Sequence, residues 1–364
     1  MNMLEQISTE AILFFILYGI TGVVALIAAL YLLLRRGNAF APSVTPPVRL
    51  RRWAASFFAV MVLGHVWWLL FCFYSRDIHS AVYVAIVLLD CVTLLITIAG
   101  TLLAMLQDRK RPVWPAFAAM IPFTVLVVLQ LLYPNGNLIK VATIYIVALY
   151  VLFSVYMVFA TRQYGRWLND NYADLENKKV WLSQTVSLVC MLGFVLYVLA
   201  TNMVFIWLIH IIELVIVVLL LWRVETLPQL ENTPPILSQQ APAGESVNIN
   251  IDLAQIERQL AEHCVATQLY LKHDLTLQQL AQAIGTNRFY LSQFFSRQGI
   301  TYNTYINNLR INHFISRYQE VVAAGMPVVA QQLASESGYR SYSTFSLAFK
   351  QRTGQSVTAW MRGR

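Results

Sequence analysis

The hydrophobic pattern divides the chain into a long apolar part and a shorter amphipathic part. Before about Arg223, apolar residues form stretches that reach or nearly reach the ~18 to 20 residues needed to cross the hydrocarbon of a bilayer. Seven such stretches occur, at about 11–34, 53–74, 81–105, 113–133, 138–160, 180–200 and 203–223. They predict a transmembrane domain over residues 1–225 that consists of seven helices.

The composition agrees with a membrane protein. Of the 364 residues, 58% are hydrophobic and 12% are charged, which is about half the charged fraction of ~25% that is typical of soluble domains. The four cysteines show no paired spacing. We therefore interpret them as small buried hydrophobic residues and not as a disulfide or metal framework.

The distribution of basic residues predicts the orientation of the spans. The loops after spans 1, 3 and 5 contain twelve Lys and Arg residues, whereas the opposite loops contain Arg76 and Lys140. The positive-inside rule therefore places the N-terminus outside. With seven spans, the C-terminal domain then lies in the cytoplasm, and the membrane we expect is the bacterial inner membrane.

Residues 226–250 separate the two parts of the chain. They are rich in Pro, Gln and Ser, lack helical periodicity, and therefore predict a mobile linker. Residues 251–364 then form the predicted soluble domain. Its first helix, at about 252–271, either contributes to the core of this domain or makes a dimer contact.

A helix-turn-helix unit is predicted at about 276–297. Thr276 and Gln279 have the spacing of a capping box at a helix start. Gly285 suits the tight turn that follows, and Asn287 suits the start of a second helix. A helix, a short turn containing glycine and a second helix form the arrangement that places the second helix in a major groove of DNA.

The same pattern recurs at about 328–352, where an apolar pair precedes Gly338 as another precedes Gly285. The segment between the copies predicts a long helix with two apolar stripes, one formed by Tyr302, Tyr305, Ile306 and Leu309 and the other by Ile311, Phe314, Ile315 and Tyr318. A helix that is apolar on both sides suits a joint between two subdomains.

Together these motifs make residues 252–364 resemble the AraC family of transcription regulators. The resemblance rests on the two copies and on Tyr290-Leu291-Ser292, Gly338-Tyr339, Thr344-Phe345, Phe349-Lys350 and Gly354-Gln355-Ser356. Val357 departs from the proline that this family usually has there, and Leu347 departs from a position that is often basic or polar. The resemblance implies a helical domain that binds double-stranded promoter DNA.

Side chains that point away from the predicted core are the candidates for DNA contact. Arg288 and Gln293 are the leading candidates, since Arg can read guanine and Gln can read adenine. The base-reading candidates are Arg288, Phe289, Ser292, Gln293 and Ser296 on the first recognition helix and Arg340, Tyr342, Ser343, Ser346 and Leu347 on the second. The phosphate candidates are Arg297, Lys350 and Arg352. The alternative is that both helices present ordinary solvated faces.

Four ionisable residues lie within predicted spans: His65, Asp90, His210 and Glu213. An isolated charge in the bilayer costs on the order of 3 kcal/mol, so these side chains should face the bundle interior, a partner or water. One hypothesis is that they line an outward-facing pocket that senses a small molecule, a proton or a metal ion. The alternative is that they make hydrogen bonds between helices and fix their packing. His65, close to two tryptophans, is the weakest of these candidates.

The predicted fold is therefore all-α, a seven-helix transmembrane bundle followed by a cytoplasmic double helix-turn-helix domain. The predicted function is a membrane-tethered transcription regulator that acts as a homodimer. The alternative is a membrane receptor or carrier whose soluble domain docks other proteins, and cleavage in the linker would offer a further route by releasing the domain. The sequence lacks nucleotide-loop, HExxH and nucleophile-elbow motifs, so we predict no catalysis, no cofactor and no dedicated metal site.

Overall fold

The computed structural model describes residues 9–35, 37–42, 44–74, 81–133, 137–199, 203–230 and 253–363. In these ranges the secondary structure is helical, apart from an isolated antiparallel bridge between Tyr172 and Thr276. The chain divides into two units, which consist of Met1–Arg162 with Val180–Asn232 and of Gln163–Lys179 with Thr233–Arg364.

The first unit is built from long helices. These are α1 (Thr9–Leu34), α2 (Val48–Tyr74), α3 (Ala81–Ala104), α4 (Trp114–Leu132), α5 (Asn137–Asn171), α6 (Trp181–Leu199) and α7 (Met203–Thr226), and the end of α5 belongs to the second unit. By length and composition, α1 to α5 and α7 are able to cross a membrane, whereas the apolar stretch found in α6, Trp181–Gly193, is shorter. The helices thus occur where the seven apolar stretches predict them, and six meet this criterion in the described residues.

Packing in the first unit leaves apolar side chains on its surface. Helix α1 packs against α2 and α7, α2 against α3, and α6 against α7. Large side chains such as Ile27, Leu152 and Val218 are more than half exposed. Apolar side chains on the outside of helices whose backbone hydrogen bonds are satisfied internally are typical of a protein surrounded by lipid.

The chain immediately after α7 is folded, so the linker predicted from residue 226 starts later than expected. Leu227 and Leu230 are buried. The side-chain amide of Gln107 donates to the carbonyl oxygen of Pro228 at 3.0 Å and accepts from the backbone N–H of Leu230 at 2.9 Å. These contacts satisfy the polar backbone that a mobile linker would leave to water. The rest of the predicted linker lies outside the described residues.

In the described residues, the second unit contains seven α-helices in addition to the end of α5. They are α8 (Leu253–Leu260), α9 (Leu277–Ala283), α10 (Arg288–Arg297), α11 (Tyr302–Ala323), α12 (Ala330–Glu336), α13 (Tyr342–Thr353) and α14 (Val357–Arg362). The helix predicted at 252–271 is interrupted, because α8 passes into a π-helical turn at Ala261–Val265 and the backbone of Gln268 is left-handed. Ile256 and Leu260 of α8 are buried in the domain core, which favours the core interpretation of this helix.

Helix α11 joins two hydrophobic cores, as its two apolar stripes predict. Tyr302 and Ile306 lie in the core that holds α9 and α10. Phe314 and Tyr318 lie in the core that holds α12 and α13. The two helix-turn-helix units therefore pack against successive parts of one helix, the first against its N-terminal part and the second against its C-terminal part.

Arg310 stabilises this joint from the middle of α11. Its side chain is 1% exposed, Nε donates to the carbonyl oxygen of Tyr270 at 2.7 Å, and Nη2 donates to that of Lys272 at 2.8 Å. The guanidinium also lies 5.4 Å from the ring centre of Tyr339. Burial lowers the pKa of Arg310, but arginine stays protonated at physiological pH. This buried cation therefore binds the segment before α9 to the second helix-turn-helix unit.

Candidate nucleic-acid interface and intramembrane cluster

The first helix-turn-helix unit has the local structure that its sequence predicts. Thr276 Oγ1 accepts from the backbone N–H of Gln279 at 3.2 Å, and Gln279 Oε1 accepts from that of Thr276 at 3.4 Å. Gly285 has a φ of 71° in the turn. Asn287 Oδ1 then accepts from the backbone N–H of Tyr290 at 2.9 Å and caps the recognition helix α10. The capping box and the turn are confirmed.

The second helix-turn-helix unit repeats this structure, but its first helix, α12, begins without a side-chain cap. Val329 precedes α12 and makes no side-chain cap, whereas Ser341 Oγ accepts from the backbone N–H of Thr344 and caps the recognition helix α13. After α13, Ser356 Oγ accepts from the backbone N–H of Ala359 at 3.2 Å, and Val357 is buried. Valine in place of the family's usual proline therefore does not prevent the last helix from forming.

The exposure of the candidates on α10 differs from the prediction at one position. Ser296 and Arg297 are exposed, and Phe289, Ser292 and Gln293 are half-buried. Arg288, which we expected to point outward, is only 4% exposed. Its burial has a specific cause, which is a segment from the apolar N-terminal part of the sequence.

This segment consists of residues 163–179, and it contacts the start of the first recognition helix. Arg288 Nε donates to Asn171 Oδ1 at 2.9 Å, and Nη2 donates to the same oxygen. Burial lowers the pKa of Arg288, and the nearby Tyr172 and Asp170 oppose that shift. In this arrangement the guanidinium is engaged by the protein and not presented to a base edge.

The 163–179 segment is also part of the first hydrophobic core. Ala173 lies in that core, and its backbone N–H donates to the carbonyl oxygen of Leu275 at 3.3 Å. Asn303 Nδ2 of α11 donates to the carbonyl oxygens of Tyr172 at 3.1 Å and of Ala173 at 2.7 Å. The segment is thus held by backbone pairing and by a side chain of the joining helix.

Further contacts of the same segment reach the second helix-turn-helix unit and the chain before α9. Glu176 Oε2 accepts from Thr344 Oγ1 at the start of α13 at 3.1 Å. Lys178 Nζ lies 3.3 Å from Asp274 Oδ1, and Arg340 Nη2 lies 2.6 Å from Asp274 Oδ2. One signal of this contact is present in the sequence: the charged residues between 170 and 177 are all acidic, whereas the domain is basic.

The candidates on α13 have varied surroundings. Arg340, Ser343, Leu347 and Lys350 are exposed, Ser346 is half-buried, and the Tyr342 ring packs 5.7 Å from that of Phe345. Arg352, a phosphate candidate, donates to the carbonyl oxygen of Asn308 and, at 2.7 Å, to Asn312 Oδ1. Because its guanidinium is fixed to α11, Arg352 has a structural role in this arrangement.

Among the four candidates within the predicted spans, three come together. His210 Nδ1 lies 2.9 Å and His65 Nε2 lies 3.6 Å from Glu213 Oε2. Asp90 stands apart from these ligand atoms and accepts from Trp68 Nε1 at 2.6 Å. The structure therefore brings in His65, the candidate that the sequence supported least, and it gives Asp90 a partner between neighbouring helices.

Comparison with known proteins agrees with this geometry. A helix-turn-helix domain family matches residues 280–363. Searches of curated proteins and of solved structures find no match. The matched residues run from α9 to α14 and include both recognition helices. The chain therefore carries the AraC-type helix-turn-helix domain of a DNA-binding regulator, after an N-terminal region whose described residues include six apolar helices that could span a membrane.

Proposed function

We propose that this protein is a membrane-anchored transcription regulator that couples a signal received in its helical bundle to the expression of genes bound by its C-terminal domain. One observation carries the proposal: an AraC-type DNA-binding domain and helices able to span a membrane occur in one chain. A DNA-binding domain fixed to a membrane acts on the chromosome from that membrane, so the bundle is the natural place for signal input.

The 163–179 segment supports the proposed topology. It packs with the DNA-binding domain in the second unit, so both lie on the same side of the membrane. Between them the chain contains α6 and α7, and an even number of crossings is required. Because α7 is long and apolar enough to cross, we propose that α6 crosses as well. Seven spans then place the N-terminus outside and the DNA-binding domain in the cytoplasm.

The same segment supplies a route for the signal. Asn171 is the last residue of α5, and it binds Arg288 at the start of the first recognition helix. We propose that the packed segment holds the domain in a state with low affinity for DNA, and that the signal moves the end of α5 and frees Arg288. DNA then competes with the segment for the same guanidinium, so the two states differ in their affinity for DNA.

The location and the DNA binding are tested in the intact protein. A C-terminal green fluorescent protein should fluoresce, because it folds in the cytoplasm, whereas a C-terminal alkaline phosphatase should stay inactive. Chromatin immunoprecipitation of the full chain should enrich discrete DNA sites, and Gln293→Ala should reduce that enrichment. An active phosphatase fusion would contradict the topology. An absence of enriched sites would favour the receptor or carrier alternative.

The role of the segment is tested by weakening its contacts. Asn171→Ala combined with Glu176→Ala removes the acceptors for Arg288 and Thr344. We expect the full-length double variant in lipid nanodiscs to bind target DNA roughly tenfold more tightly, since hydrogen bonds to charged groups contribute about 1.5–3 kcal/mol. Gln163→Ala, an exposed change in the same segment, is the matched control. Weaker binding by the double variant would mean that the segment supports the DNA-binding state.

A further inference from the structure

We propose that His65, His210 and Glu213 form a binding site for one divalent transition-metal ion of the zinc type, between α2 and α7. The site is distinct from the DNA-binding surface, and ion binding does not depend on the proposed function. A role of the ion as the signal does rest on that function. From the sequence, a metal ion is one of three signals for a pocket lined by four ionisable residues, with no dedicated metal site predicted; the structure selects three of these residues as ligands.

The donor atoms are close enough to share an ion. One ligand atom from each of the three side chains lies within 4.8 Å of the others. Metal bonds of ~2.0–2.2 Å in a tetrahedral site place neighbouring donors roughly 3.4 Å apart. The two measured separations, 2.9 Å for His210 Nδ1 and 3.6 Å for His65 Nε2 to Glu213 Oε2, lie on either side of that value. The two imidazole nitrogens lie within 4.8 Å of each other, so rotation of the histidine side chains toward the carboxylate closes the site.

The chemistry of the donor set also fits. Two imidazoles and one carboxylate provide nitrogen and oxygen ligands of the type that zinc and its neighbours accept. A carboxylate within a membrane helix is costly unless it is compensated, and a divalent cation compensates it directly. His210 and Glu213 are three residues apart on α7, so one face of that helix supplies two ligands.

His65 is oriented as metal-bound histidines usually are. Its Nδ1 lies 2.9 Å from the carbonyl oxygen of Met61. Because a carbonyl can only accept, Nδ1 carries the proton and donates. Nε2 then faces Glu213 and also lies 2.9 Å from Thr21 Oγ1. A ring nitrogen held by a backbone carbonyl fixes the tautomer and leaves the other nitrogen for a metal.

The neighbouring helix α1 is shaped around this histidine. A Cβ atom on Gly22 would lie 3.3 Å from the His65 ring, so glycine allows the close approach. The Tyr18 hydroxyl donates to the carbonyl oxygen of His65. The rings of Tyr18 and Phe14 lie 5.4 and 5.5 Å from His210. Aromatic walls and a fixed ring reduce the rearrangement that ion binding requires.

The rival explanation is a proton shared among the three side chains with no metal. In that case His65 is an imidazolium whose Nε2–H lies against Thr21 and Glu213. Both explanations satisfy the same contacts, so the test must separate a ligand set from a proton network.

The test uses the full-length chain, purified in nanodiscs with an affinity tag that lacks histidine, and Co²⁺ and Zn²⁺ as probes. We expect one Co²⁺ per chain, with the visible absorption of a tetrahedral site, and displacement by Zn²⁺. Loss of a second-layer partner typically lowers metal affinity about 10–100-fold, so loss of a ligand in His65→Gln, His210→Gln or Glu213→Gln should lower it by at least about 100-fold.

Matched variants make the outcome decisive. Asp90→Asn removes an intramembrane carboxylate outside the cluster, and His273→Gln removes a histidine of the soluble domain. His273→Gln should leave the affinity unchanged, and Asp90→Asn, which removes a carboxylate near the cluster but not a ligand, should lower it by less than about tenfold. Glu213→His keeps a metal donor and should retain binding within about tenfold, a result that a proton network does not predict.

The proposal would be overturned if the native chain showed no saturable binding of Co²⁺ or Zn²⁺, or if Glu213→Gln bound the ion as tightly as the native chain. Loss of binding in Glu213→His would also overturn it, provided that the helix content and thermal unfolding of this variant match those of the native chain. DNA binding by the same samples is measured separately with and without Zn²⁺. An ion that binds without changing DNA affinity would leave the site in place and remove its role as the signal.

Discussion

The two helix-turn-helix units share a local structure and differ in their surroundings. In both, a glycine with positive φ forms the turn and a polar side chain caps the recognition helix. The first unit packs closely against the 163–179 segment, which buries Arg288, whereas the second presents Leu347 to solvent. A sequence repeat therefore specifies the helices and the turn of a DNA-binding unit, but it does not specify how accessible the recognition helix is to DNA.

The largest difference we expect between the copies is at their turn glycines. A Cβ on Gly338 would lie 2.7 Å from the carbonyl oxygen of Leu271, whereas a Cβ on Gly285 would meet nothing within 4 Å. Gly338→Ala should therefore lower the free energy of unfolding of the domain by about 3 kcal/mol, since overpacking adds to the cost of a left-handed backbone. Gly285→Ala should lower it by about 1 kcal/mol.

Both changes are measured by thermal and denaturant unfolding of the full chain, with hydrogen exchange of the α11 backbone amides as the probe of the domain. Equal losses in the two variants would show that the close approach at Gly338 relaxes without cost.

The next difference concerns base recognition. Gln293 is a hydrogen-bonding side chain on α10, and Leu347 is an exposed apolar side chain on α13. Gln293→Ala should cost about 1–3 kcal/mol of DNA-binding free energy at the preferred site and relax the preference at one base pair. Leu347→Ala should change affinity by less than about 1 kcal/mol, because it makes at most an apolar contact.

Competition binding with single base-pair changes measures the two preferences. A larger loss in Leu347→Ala would show that the second recognition helix contributes more to base recognition than the first.

A smaller difference is expected at the helix starts. Thr276 caps α9 through a capping box, and Val329 leaves α12 without a side-chain cap. Thr276→Ala should destabilise the domain by about 1 kcal/mol, and Val329→Asp should stabilise it by a comparable amount, because the new carboxylate accepts from a free backbone N–H. The midpoint of denaturant unfolding reports both signs. A destabilised Val329→Asp variant would mean that the valine side chain contributes packing that a cap does not replace.

The smallest difference is in the salt dependence of DNA binding. Arg297 is exposed at the end of α10, whereas Arg352 is bound to α11. Arg297→Gln should weaken binding to all sequences alike and reduce the slope of log affinity against log salt by about 0.9, the value for one phosphate contact. Arg352→Gln should leave the slope unchanged. Titrations at several salt concentrations decide between them, and a reduced slope in Arg352→Gln would restore it as a phosphate contact.

The sequence predicts the local structure well because local signals determine it. The apolar stretches predict the long helices, and Thr276, Asn287 and Gly285 predict the start, the cap and the turn of the first unit. In each case the contacts involve residues a few positions apart. Periodicity and capping preferences are sufficient for such elements.

The remaining features depend on contacts between distant parts of the chain. Asn171 and Arg288 are 117 positions apart, and His65 and Glu213 belong to different helices. No periodic signal links such pairs, so the sequence left Arg288 exposed and ranked His65 last. The late start of the linker was missed for the same reason, because it depends on Gln107, whose bonding to Pro228 is set by tertiary packing.

The buried arginine at the centre of α11 makes the joint between the two cores stiff, and this stiffness limits the operators that one domain is able to occupy. Adding five base pairs between the two contacted segments turns the second groove to the far face of the duplex, since one turn of DNA takes about 10–10.5 base pairs. Adding a full turn restores the face but moves the groove by roughly 34–36 Å, beyond the reach of a rigid joint. Within a single domain, α11 therefore fixes the distance between the two recognition helices. Both insertions should abolish simultaneous contact of these helices with the DNA.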